Sequence, residues 1–586
     1  MSAWMLPVPV LLPLLSAGIA LVAARRPRIQ KVISVLTLAS SLGFGIVILI
    51  SASSAPLVLD VGSWAAPIGI TLVGDRLSAL MLVVSQVVTL GVMVYSIGQD
   101  VADSSPSAPI AVYHPTFLVL VAGVSNAFLT GDLFNLYVGF EILLAASFVL
   151  ITLGGTRGRV RAGTVYVVVS LVSSAIFLMA IALIYGALGT VNMAQLATRI
   201  PDLDPNMALL LQLMLLVAFG IKAAVFPLSA WLPDSYPTAP AQVTAVFAGL
   251  LTKVGVYAIM RLQFTLFPEN HLQGLLTTVG ILTMLTGILG AIAQDDVKRM
   301  LSFTLVSHIG FMIWGIALGS FLSVASSIYY AAHHILVQTT LFLIVGLIER
   351  KTGTTSAARL SNMVKTAPFI AILFIISAMN LVGIPPFSGF IGKLGLAQSS
   401  AQMATPAAWC LLAAGLVTSF LTLYAIIKIW NRAFWQTPKD SSRLADKYEG
   451  KQHLSGREER QLKRAKAADR AQHVSHAYAD AARTDVERGG GSSNGIMYGT
   501  VVALTLVQAA MFVFAGPVFS YSMRASEAML EPGAYAAAVL GEAGRGSGTS
   551  ADNPGGIPFS LTNDQVRVPF APPEVPEPPD IEGDSK

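Results

Sequence analysis

Charged residues are scarce in this sequence. Only 12% of its 586 residues are Asp, Glu, Lys or Arg, whereas a typical soluble domain carries about 25%. Because 54% of the residues are hydrophobic, so small a charged share cannot cover the water-facing surface of a chain of this length. The composition therefore argues against a soluble enzyme, a nucleic-acid-binding protein or a disordered chain.

Cysteine and cofactor motifs are almost absent. The single thiol, Cys410, cannot form an internal disulfide, a CxxC zinc site or a four-thiolate iron–sulfur cluster. The eight histidines show neither an HExxH motif nor another paired metal spacing, and no phosphate-binding GxxxxGK[ST] or GxGxxG loop is present. We therefore expect no metal, no cofactor and no nucleotide-driven activity in this chain.

Long apolar runs, by contrast, are abundant. A membrane-spanning helix needs roughly 20 mainly apolar residues, and about fourteen such segments meet that criterion. The first begins near Trp4 and is followed, not preceded, by basic residues, which favours a retained span over a cleaved signal peptide. Lys and Arg fall in every second connection, so the positive-inside rule places both termini outside the cytoplasm, as an even number of spans requires. The predicted fold class is an all-α integral membrane protein.

Two polar stretches interrupt this pattern. We predict a charged cytoplasmic insertion over 436–495, followed by a fourteenth spanning helix over 496–523. The residues 524–586 are rich in Gly and Ser and then in Pro and Glu, which predicts a disordered extracytoplasmic tail.

A few titratable residues lie inside the apolar segments. A charge at the bilayer centre costs at least about 2.5 kcal/mol, so it persists where it faces protein, water or a partner. These residues are Glu141, Lys222, Lys253, His308, His333, His334 and Lys393. Asp75 and Asp132 fall at the ends of predicted spans, where contact with water is the simpler expectation.

The buried charges allow two interpretations. Glu141 and Lys222 could form a static ion pair that holds two helices in register, although such pairs are weak stabilisers. Alternatively they belong to a proton relay, because burial favours a neutral lysine while a nearby carboxylate favours the charged form. His333 and His334 are neighbours about 100° apart on a helix, so at most one is expected to face a given pathway.

Prolines lie beside two of the lysines. Pro227 follows Lys222 by five residues, and Pro385-Pro386 precede Lys393. Because proline removes a helix hydrogen bond, we predict that the seventh and twelfth spans are broken. A separation of five spans gives the two breaks opposite orientations, which is typical of inverted-repeat transporters.

These residues carry a family resemblance. The segment from Lys222 to Tyr257 contains KAAVFPLSAWLPDSYPTAP and GLLTKVGVY, and DVKRMLSFT begins at Asp296. Both resemble motifs of the antiporter-like proton-translocating subunits, found in Mrp-type multisubunit Na⁺/H⁺ antiporters and in respiratory complex I. The resemblance implies a three-helix segment over 1–115 and two inverted five-helix repeats, over 116–262 (helices 4–8) and 263–435 (helices 9–13).

The resemblance also implies roles for the buried residues. Glu141 on helix 5 would pair with Lys222 on broken helix 7, and Lys253 on helix 8 would pass protons toward the centre. The second half would use His333 or His334 on helix 11 and Lys393 on helix 12. In this family a lysine commonly occupies the position of Gln338, so here the centre of the relay would depend on water and a histidine.

The expected function is therefore proton translocation within a multisubunit Na⁺/H⁺ antiporter of the bacterial plasma membrane. Its partners would be other antiporter subunits, the lipid bilayer and the transported ions, with no nucleic acid. The alternative is a proton-pumping membrane subunit of a complex I-like NADH:quinone oxidoreductase or a membrane-bound hydrogenase, although Lys393 disfavours the complex I subunit that has glutamate there. A third hypothesis is a structural scaffold with inert ion pairs.

Overall fold

The computed structural model describes residues 3–99, 110–269, 271–357, 359–436, 491–531 and 533–541. Its long helices follow one another along the chain. They are α1 (Val8–Val22), α2 (Pro27–Ala52), α3 (Arg76–Gly98), α4 (Ile110–Leu129), α5 (Leu133–Thr152), α6 (Arg157–Leu188), α7 (Pro205–Ala223), α8 (Ala241–Leu266), α9 (Gln273–Ile292), α10 (Val297–Leu318), α11 (Phe321–Thr352), α12a (Pro368–Val382), α12b (Ser388–Met403), α13 (Pro406–Trp435), α14 (Gly491–Val513), α15 (Ala515–Leu530) and α16 (Ala534–Leu540).

The prediction of about fourteen spans is confirmed. Thirteen helices of the described residues are long and apolar enough to cross a membrane. The twelfth span, which is broken into α12a and α12b, brings the number to fourteen. Burial divides them into layers: α8, α10 and α11 are almost wholly buried, whereas α1, α2, α6, α13 and α14 expose much of their apolar surface. The inner three helices therefore form the core, and they carry Lys253, His308, His333 and His334.

Two features depart from the predicted fold. A small antiparallel hairpin, β1 (Leu57–Asp60) and β2 (Thr71–Gly74), joins α2 to α3, so the chain is not purely helical. The prediction of a disordered tail from residue 524 is wrong as far as residue 541, because α15 and α16 pack there with Ala525, Ser526 and Met529 buried. Small residues spaced along one face of α15 allow this packing. The predicted insertion lies outside the described residues over 437–490, as does the rest of the tail from residue 542.

Both predicted helix breaks are present. α7 is followed by the cap residue Ala224, whose φ of 58° lies in the left-handed region. α12a is followed in the same way by Gly383, with a φ of 80°. A left-handed alanine costs on the order of 1–2 kcal/mol, so the surrounding structure must hold it in place. Part of that support comes from α9, because the Thr283 hydroxyl accepts the backbone N–H of Phe226 at 2.9 Å. An interrupted helix at membrane depth is tolerated where protein satisfies the freed groups.

One backbone motif occurs twice at corresponding places. The turn before α5 and the segment before α7 pair through Leu133 N–H to Val191 C=O (2.9 Å) and Met193 N–H to Gly131 C=O (2.8 Å). The turn before α10 and the segment before α12a pair in the same way. There the Val297 N–H donates to the Thr355 carbonyl, and the Ala357 N–H donates to the Asp295 carbonyl. Every pair of equivalent positions (131 and 295, 193 and 357) is 164 residues apart. The same local backbone structure therefore occurs twice in the chain.

A buried ion pair connects α3 to α8. Arg261 lies 2.6 Å from Asp75, with side-chain exposures of only 4% and 13%. Asp75 also caps the N-terminus of α3, and Arg261 donates to the hydroxyl of Tyr257 at 3.0 Å. Because removal of one partner of a buried pair leaves an uncompensated charge, this contact stabilises the end of the bundle at which α3 begins.

We predict that Asp75→Asn destabilises the protein far more than Asp234→Asn. Asparagine preserves the helix cap, so the change isolates the loss of charge, which costs about 3–5 kcal/mol for a buried pair. Asp234 pairs with Arg299 at 2.7 Å, but their side chains are 67% and 46% exposed, and such pairs contribute about 0–1 kcal/mol. Thermal unfolding of the purified protein measures both, and equal losses would contradict the structural role of Asp75.

Candidate functional site

Glu141 and Lys222 meet through a third residue. The Ser174 hydroxyl of α6 donates to a carboxylate oxygen of Glu141 on α5, and it receives a hydrogen bond from Lys222 Nζ at 3.2 Å. Lys222 lies in the last turn of α7, with Nζ 5.4 Å from the centre of the Phe140 ring. The predicted pair is therefore bridged by a hydroxyl, and no direct ion pair between the two residues occurs in the described structure.

A small cavity continues from Lys222. It has a volume of about 20 Å³, which is enough for a single water molecule. Lys222, Tyr166, Ser170, Trp231 and Tyr236 contribute to its lining. The Tyr236 hydroxyl and the indole N–H of Trp231 are buried and have no hydrogen-bond partner among the described residues. Since buried polar groups are normally satisfied, these two atoms indicate a water site beside the lysine.

Lys253 lies at the centre of the bundle. It is fully buried on α8, and its Nζ donates to the Ala248 carbonyl at 2.6 Å, within a π-helical stretch. Gly255 allows α8 to approach the broken end of α7, because a Cβ there would lie 2.9 Å from the carbonyl carbon of Lys222. Lys253 is also within electrostatic range of His334 on α11.

The histidines form a cluster between α10 and α11. The rings of His308 and His334 lie 5.4 Å apart, and the Tyr330 hydroxyl is 2.7 Å from His308 Nδ1. His333 lies with Nδ1 2.9 Å from the Ser388 hydroxyl at the start of α12b. The rings of both neighbouring histidines lie near the Tyr330 ring, at 5.4 Å for His333 and 6.1 Å for His334. Both ring nitrogens of His334 are buried without a hydrogen-bond partner among the described residues, which leaves them open to water.

Lys393 completes the second half. Its Nζ donates to the Val382 carbonyl (2.8 Å), which the break in the twelfth span exposes, and to the Ser419 hydroxyl (3.1 Å). The ammonium also lies 4.4 Å from the centre of the Phe311 ring. A positive charge at a helix C-terminus is favoured by the helix dipole. The described residues contain no carboxylate within ion-pairing distance of either Lys393 or Lys253.

Gln338, one turn beyond His334 on α11, does not continue the relay by titration. Its side-chain N–H donates to the Leu301 carbonyl at 2.8 Å. Its side-chain oxygen is buried without a donor in the described part of the chain. This oxygen could accept a hydrogen bond from a water molecule, and the sequence predicts water at this point of the relay.

The structure gathers the predicted residues into three groups: Glu141 with Lys222, Lys253 with His334, and His333 with Lys393 on the second half. No hydrogen bond within the described structure joins Lys222 to Lys253. The placement of Asp75 and Asp132 at span ends is correct, but both are buried and not exposed to water.

The polar side chains that hydrogen-bond to the titratable groups were not predicted from the sequence. They are Ser174, Tyr330, Ser388 and Ser419. Serine and tyrosine are common in spans, so composition contains no signal that distinguishes these four from the rest.

This arrangement suits the movement of protons better than the binding of a metal. Hydroxyls both donate and accept hydrogen bonds, so Ser174 can connect a proton donor to an acceptor. Lysine, histidine and glutamate can each hold a proton or lose it. Among the described residues, no group of three or more His, Cys, Asp or Glu side chains could hold a metal ion.

The chain is similar to several known membrane proteins. Residues 130–422 match the family described as NADH:quinone oxidoreductase/Mrp antiporter, TM. The chain is 38% identical to a Na⁺/H⁺ antiporter subunit of Alkalihalophilus pseudofirmus, over 76% of this chain and 90% of that protein. It is 35% identical to a Na⁺/H⁺ antiporter subunit of Bacillus subtilis, over 75% and 89%. A chain of the Mrp complex from Dietzia sp. DQ12-45-1b is 30% identical, with a TM-score of 0.78 over 92% of this chain and 99% of that one.

We predict that an ordered water occupies the cavity beside Lys222. It should lie within hydrogen-bond distance of the Tyr236 hydroxyl or the Trp231 indole N–H, because these are the buried groups without partners. An electron-density or cryo-EM map that resolves waters tests this directly. A dry cavity beside Lys222 would contradict the prediction.

Proposed function

This chain belongs to the NADH:quinone oxidoreductase/Mrp antiporter family, and from that membership we propose that it is the proton-translocating subunit of a multisubunit Na⁺/H⁺ antiporter. The two similar Na⁺/H⁺ antiporter subunits match over about nine-tenths of their own length, which supports the same role here. It acts as a transporter subunit and not as an enzyme. These similarities favour the antiporter role over the redox-linked alternative.

One observation carries the proposal: titratable side chains lie buried among neutral oxygen partners in the helices of the core. Lys253 donates to a carbonyl, and Lys393 donates to a carbonyl and a hydroxyl. An ion pair with a carboxylate would fix a lysine in its charged form, whereas neutral partners leave the proton exchangeable when a neighbouring charge changes. Such residues within a membrane protein most often mark an ion pathway.

In this proposal each of the two repeats contributes its own proton-exchange residues. The first proton-exchange group consists of Glu141, Ser174 and Lys222. It lies next to the cavity lined by Tyr236, whose hydroxyl has no hydrogen-bond partner among the described residues. Protons pass through Lys253 and the histidine cluster to Lys393 beside the second helix break. One charge that crosses the membrane potential releases about 2.3 kcal/mol per 100 mV, which is enough to bias ion exchange when the coupling is tight.

The cellular setting follows from the same proposal. The chain resides in the bacterial plasma membrane as a multi-pass subunit, in a hetero-oligomeric complex with the other antiporter subunits. The basic connections face the cytoplasm and both termini face outward, in keeping with the alternation of Lys and Arg along the sequence. The repeats over 116–262 and 263–435 are the two transport halves, and the duplicated backbone motif supports this division.

We predict that Glu141→Ala and Lys222→Ala each abolish Na⁺/H⁺ exchange while the complex still assembles. Either change removes one end of the group that Ser174 bridges. Exchange is measured as the collapse of a pH gradient on addition of Na⁺ to membrane vesicles, and assembly by copurification. Glu527→Ala and Lys351→Ala serve as controls because both side chains are exposed. Intact exchange in either test variant would refute the assigned role.

We predict a smaller effect for Ser174→Ala. The hydroxyl contacts both a carboxylate and an ammonium, and a hydrogen bond to a charged group contributes about 1.5–3 kcal/mol, so exchange should slow by roughly ten- to a hundredfold.

Ser173→Ala is the matched control for this change. The neighbouring serine is equally buried, but its hydroxyl donates only to the Ala218 carbonyl. Exchange in Ser173→Ala should stay close to that of the wild type. Equal rates in the two variants would show that the bridge formed by Ser174 has no part in transport.

A further inference from the structure

A second carboxylate is buried at the opposite end of α5 from the basic residues around Arg157. Asp132 lies in the turn between α4 and α5 and is only 4% exposed. One of its oxygens accepts the backbone N–H of Asn135 at 2.7 Å. No lysine or arginine pairs with it in the described structure. A buried carboxylate without a cationic partner is costly, so its retention calls for a physical explanation.

The duplicated backbone motif provides an internal comparison. Asp296 begins α10 as Asp132 begins α5, and both side chains cap their helices through the backbone N–H three residues later. Asp296, however, also receives a hydrogen bond from the Thr355 hydroxyl. The position equivalent to Thr355 in the first half is Val191, whose side chain has no donor. The same turn therefore holds a carboxylate with an additional hydroxyl donor in one place and a carboxylate without it in the other.

The surroundings of Asp132 are polar and buried. Asn126 on α4 and Asn135 on α5 exchange amide hydrogen bonds of 3.1 and 3.2 Å about one turn deeper into the bundle. Asn135 also donates to the Thr130 hydroxyl at 2.9 Å. Asn192, which pairs with Asp132 through the backbone, donates to Thr71 on the hairpin. These side chains form a buried polar lining next to the carboxylate.

The arginine of α8 at this end is already paired with a carboxylate. Arg261 on α8 is neutralised by Asp75 at the start of α3 and contacts the rings of Tyr257 and Tyr535. Tyr535 on α16 lies between that pair and Asp132, and is within electrostatic range of both.

On the hairpin, Asp60 accepts a hydrogen bond from Thr71 at 2.9 Å. Because no cation pairs with Asp132 in the described structure, burial raises its pKa to about 6, although backbone hydrogen bonds from Asn135 and Phe134 lower it in part. The proton is thus bound below about pH 6 and released above it.

We propose that Asp132 is a proton-exchanging carboxylate at the outer mouth of the first transport half. The inference rests on the proposed function and adds to it a residue outside the Glu141–Ser174–Lys222 group. In the exchange step a hydronium ion of the outer solution transfers its proton to the carboxylate and leaves a water molecule. Release returns the proton to water, either outside or along the polar lining of Asn126 and Asn135. Asp132 precedes Glu141 by nine residues, or about 13 Å along the helix. It therefore exchanges protons with the outer solution and is not a direct hydrogen-bond partner of Glu141.

The test compares Asp132→Asn with Asp296→Asn in the complete antiporter complex, reconstituted in liposomes with its outer face toward the medium. Asparagine caps a helix as well as aspartate does, so both variants should keep the turn. Na⁺/H⁺ exchange is measured while the outer pH is varied from about 5 to 8, a range that brackets the pKa of a buried carboxyl group.

The expected result is a loss of the wild-type step near pH 6 in Asp132→Asn, with the rate reduced at least about tenfold, the equivalent of 1.4 kcal/mol. Asp296→Asn should keep the wild-type profile. If Asp132 were purely a structural cap, both variants would keep the wild-type rate and pH profile, because asparagine caps the helix equally well. Should Asp132→Asn assemble poorly, Asp132→Glu retains a titratable group, and a shifted midpoint in that variant supports the same conclusion.

An unchanged pH profile in Asp132→Asn, or an unmoved midpoint in Asp132→Glu, would overturn the inference. The Glu141→Ala variant separates this outcome from a failure of the proposed function. If Glu141→Ala is inactive and Asp132→Asn behaves as the wild type, the antiporter role stands and the proton-exchanging role of Asp132 is wrong. If Glu141→Ala also exchanges ions normally, the proposed function itself fails.

Discussion

The cost of placing a charge in a medium of low polarity shapes this molecule. Hydrocarbon offers no hydrogen-bond partner, so each titratable side chain in the core must find one within the protein. Here most of the partners are neutral: the Ala248 carbonyl for Lys253, and the Val382 carbonyl with the Ser419 hydroxyl for Lys393. An apolar helix of regular geometry has no carbonyl to spare, because each one is bonded within the helix. The π-helical stretch in α8 and the break between α12a and α12b release the carbonyls that these two lysines use.

One backbone motif recurs along the chain with different side chains around it. The pairing before α5 and the pairing before α10 use the same hydrogen bonds, 164 residues apart. In the first half a carboxylate and a lysine meet across Ser174, whereas in the second half Lys393 has only neutral partners. The difference extends to the turns, where Val191 replaces Thr355 and leaves Asp132 short of one donor. The same backbone motif therefore carries different side-chain partners for its carboxylate in the two places.

Much of the architecture could be predicted from local sequence. Apolar runs of sufficient length identified the spans, and Pro227 and Pro385-Pro386 located the breaks, because both effects depend on residues close together in the chain. The hairpin and α15 could not be predicted, since they depend on packing against distant segments. The same limit explains why Ser174 was missed: nothing in α6 indicates that this serine lies between Glu141 and Lys222, which come from two other helices. Asp132 was correctly placed at a span end, but its burial depends on the hairpin and on α16.

In the proposed mechanism the buried groups form one working pathway and are not separate structural contacts. Lys253 tests this most directly, because it lies between the two halves and donates only to a carbonyl. Exchange of Na⁺ for H⁺ should be measured in liposomes that contain the assembled complex with Lys253→Ala. A continuous pathway predicts that the variant assembles but that neither Na⁺ nor a pH gradient drives the other ion. Exchange at the wild-type rate would contradict it and favour a scaffold with inert polar contacts.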